Sequence, residues 1–143
     1  LNDYPYVEFV VIADRNPTLD SLPVVTFIEW NPYTEIIDLM QLDVGIMPLP
    51  DDIWAKGKCG FKALQYMALE IPAVVSPVGV NTKIVEHDVN GFLCSTPEEW
   101  EIALKRLVED SALRKKFGIN GRQKIIEYYS VNSNTSTFLS LFE

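Results

Sequence analysis

Two short stretches of this sequence hold residue types that could bind an anion. The first, Pro48 to Gly60, reads PLPDDIWAKGKCG and carries Lys56 and Lys58, with Lys62 just beyond it. It follows an apolar run and opens a helical pattern at Gly60. The first backbone N–H groups of a helix have no partner inside it and carry the positive end of its dipole, so they suit a phosphate or diphosphate. Gly60 lacks a Cβ and lets a ligand approach the backbone closely. Lys62 falls in the first turn of the helix, where a cation is unfavourable for the dipole. A bound anion would offset that cost. Spacing alone is also compatible with a solvated lysine loop. No G-x-x-x-x-G-K-[ST] is present, which argues against ordinary P-loop chemistry.

The second stretch, Ser76-Pro77-Val78-Gly79-Val80-Asn81, also joins an apolar run to a helix start. Its small residues could bring backbone amides to a polar ligand. The plain alternative is a turn with Asn81 as the helix cap. Two such loops side by side would frame one crevice.

The remaining candidates are weaker. Asp51 and Asp52 could hold a metal, but adjacent loop acids are usually solvated, as Glu86 and Asp88 also would be. Trp30, Tyr33 and Trp54 could stack on a base or a sugar, although a loop tryptophan more commonly caps a packed surface. No Ser-His-Asp or Cys-His set can be assembled. The single His87 has no zinc-ligand partners. Cys59 and Cys94 lie far apart without metal spacing, which reads as two reduced thiols.

The elements that would position these loops alternate. Val7–Ala13, Val24–Ile28, Asp43–Met47, Ala73–Ser76 and Phe92–Cys94 read as short apolar strands. Thr34 caps a predicted helix over 35–40. Gly60 to Leu69 has helical spacing through Phe61, Leu64, Met67 and Ala68. A short helix runs from Asn81 to Glu86. Thr96, Pro97 and Glu99 make a capping-box start for a helix with Trp100, Ala103, Leu104, Leu107 and Val108 on one face. A second helix carries Leu113, Phe117, Ile125, Tyr128 and Tyr129, with Gly118 and Gly121 weakening its middle. The tail, residues 131–143, is polar and then apolar at Phe138, Leu139, Leu141 and Phe142, and must dock somewhere. Alternation of this kind predicts an α/β fold, a parallel sheet with helices on both faces. In such sheets ligands bind beyond the carboxyl ends of the strands, where both loops fall. A first strand with a glycine-rich turn is missing, so the chain is expected to begin inside a domain.

Composition sets the outer bounds. The chain has 143 residues, 48% of them hydrophobic, enough for one domain with a sizeable core. A net charge of −8 argues against a nucleic-acid partner and gives no general attraction to anionic lipid. No apolar run approaches the roughly 20 residues of a membrane span. No signal peptide is legible at Leu1, Asn2 and Asp3, which leaves a cytoplasmic reading.

The stretch from Asp43 to Leu93, with DVGIMPLP, then GFKALQYMALEIPAVV and VNGFL, resembles the donor domain of retaining glycosyltransferases of the GT-B fold, group 1 type. The likeness extends more weakly over the whole chain, through Val7–Ala13 and Val24–Asn31. It implies a Rossmann-like α/β fold, the C-terminal half of a GT-B architecture truncated at its N-terminus. Residues 1–143 would be a partial nucleotide-sugar donor domain. The missing N-terminal acceptor domain would be its partner, with the tail at 131–143 as the docking segment.

The resemblance also implies roles. Amides at Gly60 and Phe61, with Lys58 and Lys62, would hold the donor diphosphate. Gln65 would meet the ribose. Trp30, Asn31, Tyr33 and Ile36 would border the base, and Gly79, Val80 and Asn81 would lie near the sugar and phosphates. The substrate would be a nucleotide diphosphate sugar, with no cofactor and no metal required. Any peripheral membrane contact, at the inner face of the membrane, would come from the missing half. The parent enzyme would serve glycan or polysaccharide synthesis, the fragment alone being inactive.

The sequence also departs from that pattern. Many members carry two glutamates where this chain has Gly57 and Gln65, and Glu70 replaces a glycine that usually ends the helix. The alternatives are a nucleotide-sugar epimerase of the same architecture and a non-catalytic interaction domain with a degenerate site. A flavodoxin-like signalling domain is disfavoured, because the first strand lacks a clustered set of acids.

Overall fold

The computed structural model describes residues 4–17 and 25–142. The chain forms two compact units, residues 1–42 and 43–143.

In the first unit, β1 (Phe9–Ala13) and β2 (Val25–Glu29) pair in parallel, Phe9 opposite Val25 and Ala13 opposite Glu29. Both strands are shorter or shifted relative to the predicted ones. A turn closed by the Val7 N–H on Tyr4 O, 3.0 Å, takes the first residues of the run. Val24 lies outside the described residues. A short helix, α1 (Glu35–Leu39), follows. Thr34 does not cap it with its side chain, contrary to expectation. Its hydroxyl instead donates to Asp38 Oδ2 at 2.7 Å.

In the second unit, β3 (Gly45–Met47), β4 (Ala73–Val75) and β5 (Gly91–Leu93) form a parallel sheet in that order. Gly45 pairs with Ala73 and Ala73 with Gly91. The connections carry α2 (Ile53–Lys56) and α3 (Phe61–Ala68) between β3 and β4, and α4 (Asn81–Ile84) between β4 and β5. Then come α5 (Pro97–Glu109) and α6 (Ser111–Lys124), a π-helical turn at Ile125–Tyr129, and α7 (Val131–Leu139). The α/β fold with parallel strands and surrounding helices is therefore the predicted one.

The core of the second unit packs Val74, Phe92, Cys94, Ala103, Leu107 and Phe117, with Ile46 and Trp100 against it. Phe92 and Phe117 meet edge to face at 5.1 Å, a favoured aromatic geometry. Burial, and secondarily the charge of Glu99, pushes the Cys94 thiol up to about 11. Burial alone raises Tyr66 from its ordinary value.

α6 runs through Gly118 and Gly121 without interruption. They bring it close to α3. A Cβ at Gly118 would lie 2.1 Å from the carbonyl oxygen of Glu70, and one at Gly121 would lie 3.2 Å from Met67 Cγ. Glu70 occupies the left-handed region that the usual glycine would fill, with φ 61°. It closes the end of α3 through Ile71 N–H on Tyr66 O at 2.9 Å and its own N–H on Met67 O at 3.2 Å. A side chain in this region costs about 1–2 kcal/mol. Arg122 of α6 offsets part of that cost, donating to Ala68 O and standing 3.7 Å from the Glu70 carboxylate.

The segment 131–143, predicted as a docking tail, is helical up to Leu139, and Phe138, Leu139, Leu141 and Phe142 are all exposed. Among the described residues, no helix is long and apolar enough to cross a membrane.

Candidate functional site

Met47 pairs with Val75 across β3 and β4, so the two chains leave the sheet side by side. The loop after β3 is not wholly irregular, as predicted, but holds the single turn α2. Asp52 caps it, accepting from Ala55 N–H at 2.7 Å, and Ala55 is buried beneath it. The Asp-x-x-Ala spacing was the available sign, hidden among prolines and acids. The ammonium group of Lys56 pairs with Asp51 at 2.8 Å. That hydrogen bond, with the attraction of the same carboxylate, raises Lys56 above its ordinary value.

The loop after β4 is braced from within. Ser76 Oγ accepts from Leu49 N–H at 2.9 Å, and Ser76 O accepts from Val78 N–H at 2.8 Å. Asn81, only 1% exposed, donates from Nδ2 to Ser76 O at 3.0 Å. Asn81 is thus the first residue of α4, and the capping position falls to Val80. The predicted asparagine cap is corrected: its amide reaches back and fixes the turn.

The two loops meet. A Cβ added to Gly79 would lie 2.8 Å from Lys56 O, and one added to Gly60 would lie 3.0 Å from Asn81 Oδ1 and 2.3 Å from Ile84 Cδ1. Both glycines have positive φ, 67° at Gly60 and 58° at Gly79. Only residues without Cβ fit these contacts and these backbone angles together.

Gly60 is the N-cap of α3, and no side chain caps this helix. The hydrogen bonding of the helix begins with Leu64 N–H on Gly60 O at 3.1 Å. The amides of Phe61 and Ala63 therefore stand at an open helix start, the position of highest positive potential. Phe61 is 57% exposed, Lys58 is exposed and Lys62 half-buried, one on each side of Gly60. One turn on, Gln65 is half-buried, and its Oε1 is buried without a hydrogen-bond partner. A buried acceptor of this kind is costly unless a donor reaches it.

The second unit thus gathers Lys58, Gly60, Phe61, Lys62, Gln65, Gly79, Val80 and Asn81. The other candidates belong to the first unit, in the turn after β2. Trp30 Nε1 donates to Glu35 Oε1 at 3.1 Å, and Asn31 Oδ1 accepts from Tyr33 N–H at 2.9 Å. Asn31 O accepts from Thr34 and Glu35 N–H. Tyr33 is 92% exposed, and Ile36 is exposed as well. Among the described residues, no three His, Cys, Asp or Glu side chains gather as metal ligands.

Fold and site define a class: an α/β domain with two parallel-strand loops converging on an uncapped helix start. Residues 19–124 match the family described as glycosyl transferases group 1. The chain belongs to that family. A Xenopus tropicalis protein named glycosyltransferase 1 domain-containing protein 1 is 28% identical over 78 residues, covering 54% of this chain and 23% of its own length. The C-terminal domain of the group 1 family protein LpcC from Francisella tularensis superposes with a TM-score of 0.59 at 27% identity, covering 75% of this chain and 54% of that one. Anabaena HepE, solved in complex with UDP-glucose, superposes with a TM-score of 0.67 at 20% identity, over 96% of this chain and 41% of that one. The chain therefore spans only part of each of these relatives.

Proposed function

We propose that this chain is the donor-binding part of a glycosyltransferase, one that moves a sugar from a nucleotide diphosphate sugar to an acceptor hydroxyl with retention, in glycan or polysaccharide synthesis. The observation that carries the reading is the open start of α3 at Gly60, flanked by Lys58 and Lys62. In this reaction the bond from sugar to phosphate breaks, the nucleoside diphosphate leaves, and the acceptor oxygen bonds to the sugar as its proton departs. The work of the protein is to position the two substrates and to neutralise the leaving diphosphate. Amides at Gly60 and Phe61 with two ammonium groups do this without a metal. The unpartnered Gln65 Oε1 accepts a ribose hydroxyl, and Gly79 and Val80 border the sugar side. Family membership and the UDP-glucose bound by HepE support this reading. Transfer also requires a second domain to complete the acceptor site, so the chain alone binds nucleotide without turnover.

Isothermal titration of the folded chain with uridine, UDP, GDP and their glucose conjugates tests this. A nucleoside diphosphate is expected to bind more tightly than its nucleoside. Lys62→Ala is expected to weaken the diphosphate about tenfold, with a smaller effect on the nucleoside. Equal losses for the two would reject the phosphate role, and no heat from any nucleotide would overturn the reading.

A further inference from the structure

The turn α2 presents two large apolar side chains to solvent, Ile53 at 91% and Trp54 at 81% exposure. The turn is firmly held: Asp52 caps it, Ala55 anchors it, Asp51 pairs with Lys56, and Gly79 abuts the Lys56 backbone. Side chains of this kind on a braced turn keep apolar surface in water, and covering that surface would be favourable. Ile53, Trp54, Gly57 and Lys58 line an open depression of about 490 Å³.

We propose that this platform is a saccharide-binding surface, on which one pyranose ring of the acceptor stacks against the Trp54 indole. This rests on the donor reading above. The C–H face of a pyranose is slightly positive and complements the negative face of an indole. An anionic membrane is disfavoured by Asp51, Asp52 and the net charge of −8. Location favours the acceptor: Lys58, which lines the depression, stands next but one to Gly60 in the chain, and the Lys56 backbone at the end of the same turn packs against Gly79. A saccharide there lies beside the proposed leaving diphosphate, where an attacking hydroxyl is needed.

The test follows the Trp54 indole N–H resonance in the ¹⁵N-labelled 143-residue chain, with UDP present and the Gly60 and Phe61 amides monitored in parallel. Methyl glycosides of glucose, mannose, galactose and N-acetylglucosamine serve as probes. At least one is expected to shift the indole signal. Trp54→Ala is expected to weaken that glycoside about tenfold, more than it weakens UDP, and Trp54→Phe to restore part of the loss. A glycoside response without any UDP response would break the donor reading and leave the platform standing. The proposal is overturned if no glycoside moves the signal, if only UDP-glucose moves it, or if only phosphatidylglycerol vesicles or self-association do.

Discussion

The α5–α6 flank and the strand-end loops solve the same problem in opposite ways. Every helix start leaves backbone donors without partners. On the flank, protein side chains meet them. Thr96 and Glu99 form a reciprocal capping box at the start of α5, with Glu99 N–H on Thr96 Oγ1 at 3.3 Å and Thr96 N–H on Glu99 Oε2 at 3.3 Å. Asp110 caps α6 through Leu113 N–H at 2.9 Å. Arg114 closes the other end of α5 by donating to Leu107 O at 2.6 Å. At the loops, Asp52 caps only the single turn α2, whereas α3 starts from a left-handed glycine and α4 from Val80, and neither of these has a side-chain cap. The same chain therefore has the means to seal a helix and does not use it at Gly60. The donors left there are the ones the proposed diphosphate would meet, and Lys58 and Lys62 beside them carry the matching sign.

The glycines sharpen the contrast. Gly118 serves packing and Gly60, on the proposed function, serves the site, so substitution at each is expected to fail differently. The largest loss of stability is expected from Gly118→Ala, about 3 kcal/mol, because the clash is with rigid Glu70 backbone. Urea unfolding measures it, and nucleotide affinity per folded molecule is expected to hold. Gly60→Ala is expected to cost less stability, about 1–2 kcal/mol for a left-handed side chain, since its nearest obstacle is the tip of Ile84. It is nonetheless expected to lose UDP binding in a titration. If UDP affinity survived in Gly60→Ala and fell in Gly118→Ala, the division between packing and binding glycines would be reversed. The smallest effect is expected from Thr96→Ala, about 1 kcal/mol for a lost cap, read as a lower thermal midpoint with unchanged UDP affinity. A loss of UDP binding there would mean that the capped flank also contributes to the site.

Much of the second unit was legible from residue patterns. Thr96-Pro97-x-Glu99 predicted its capping box, because the bonding is local and spans only three residues. The apolar spacing of Phe61 to Ala68 marked α3, and the turn residues marked β3, β4 and β5 to within two residues. Local signals misled where a side chain had a distant or competing partner. Thr34 bonds to Asp38 and not to the start of α1, and Asn81 reaches Ser76 O instead of capping α4. The turn α2 was missed because its four residues are too few to display a helical period.

The sequence by itself determined the alternation of strands and helices, the lysines around Gly60 and the family motif, since all are local patterns or residue identities. Only the tertiary structure decided that Gly118 and Gly121 are places of close approach, that Glu70 takes a left-handed cap, and that Gln65 Oε1 is left without a donor. It also left Trp54 exposed to solvent, where a tryptophan capping a packed surface was the commoner expectation. The reason is physical: whether a backbone can approach, or a polar atom finds a partner, depends on atoms far away in the chain. No local pattern of residues encodes those distances.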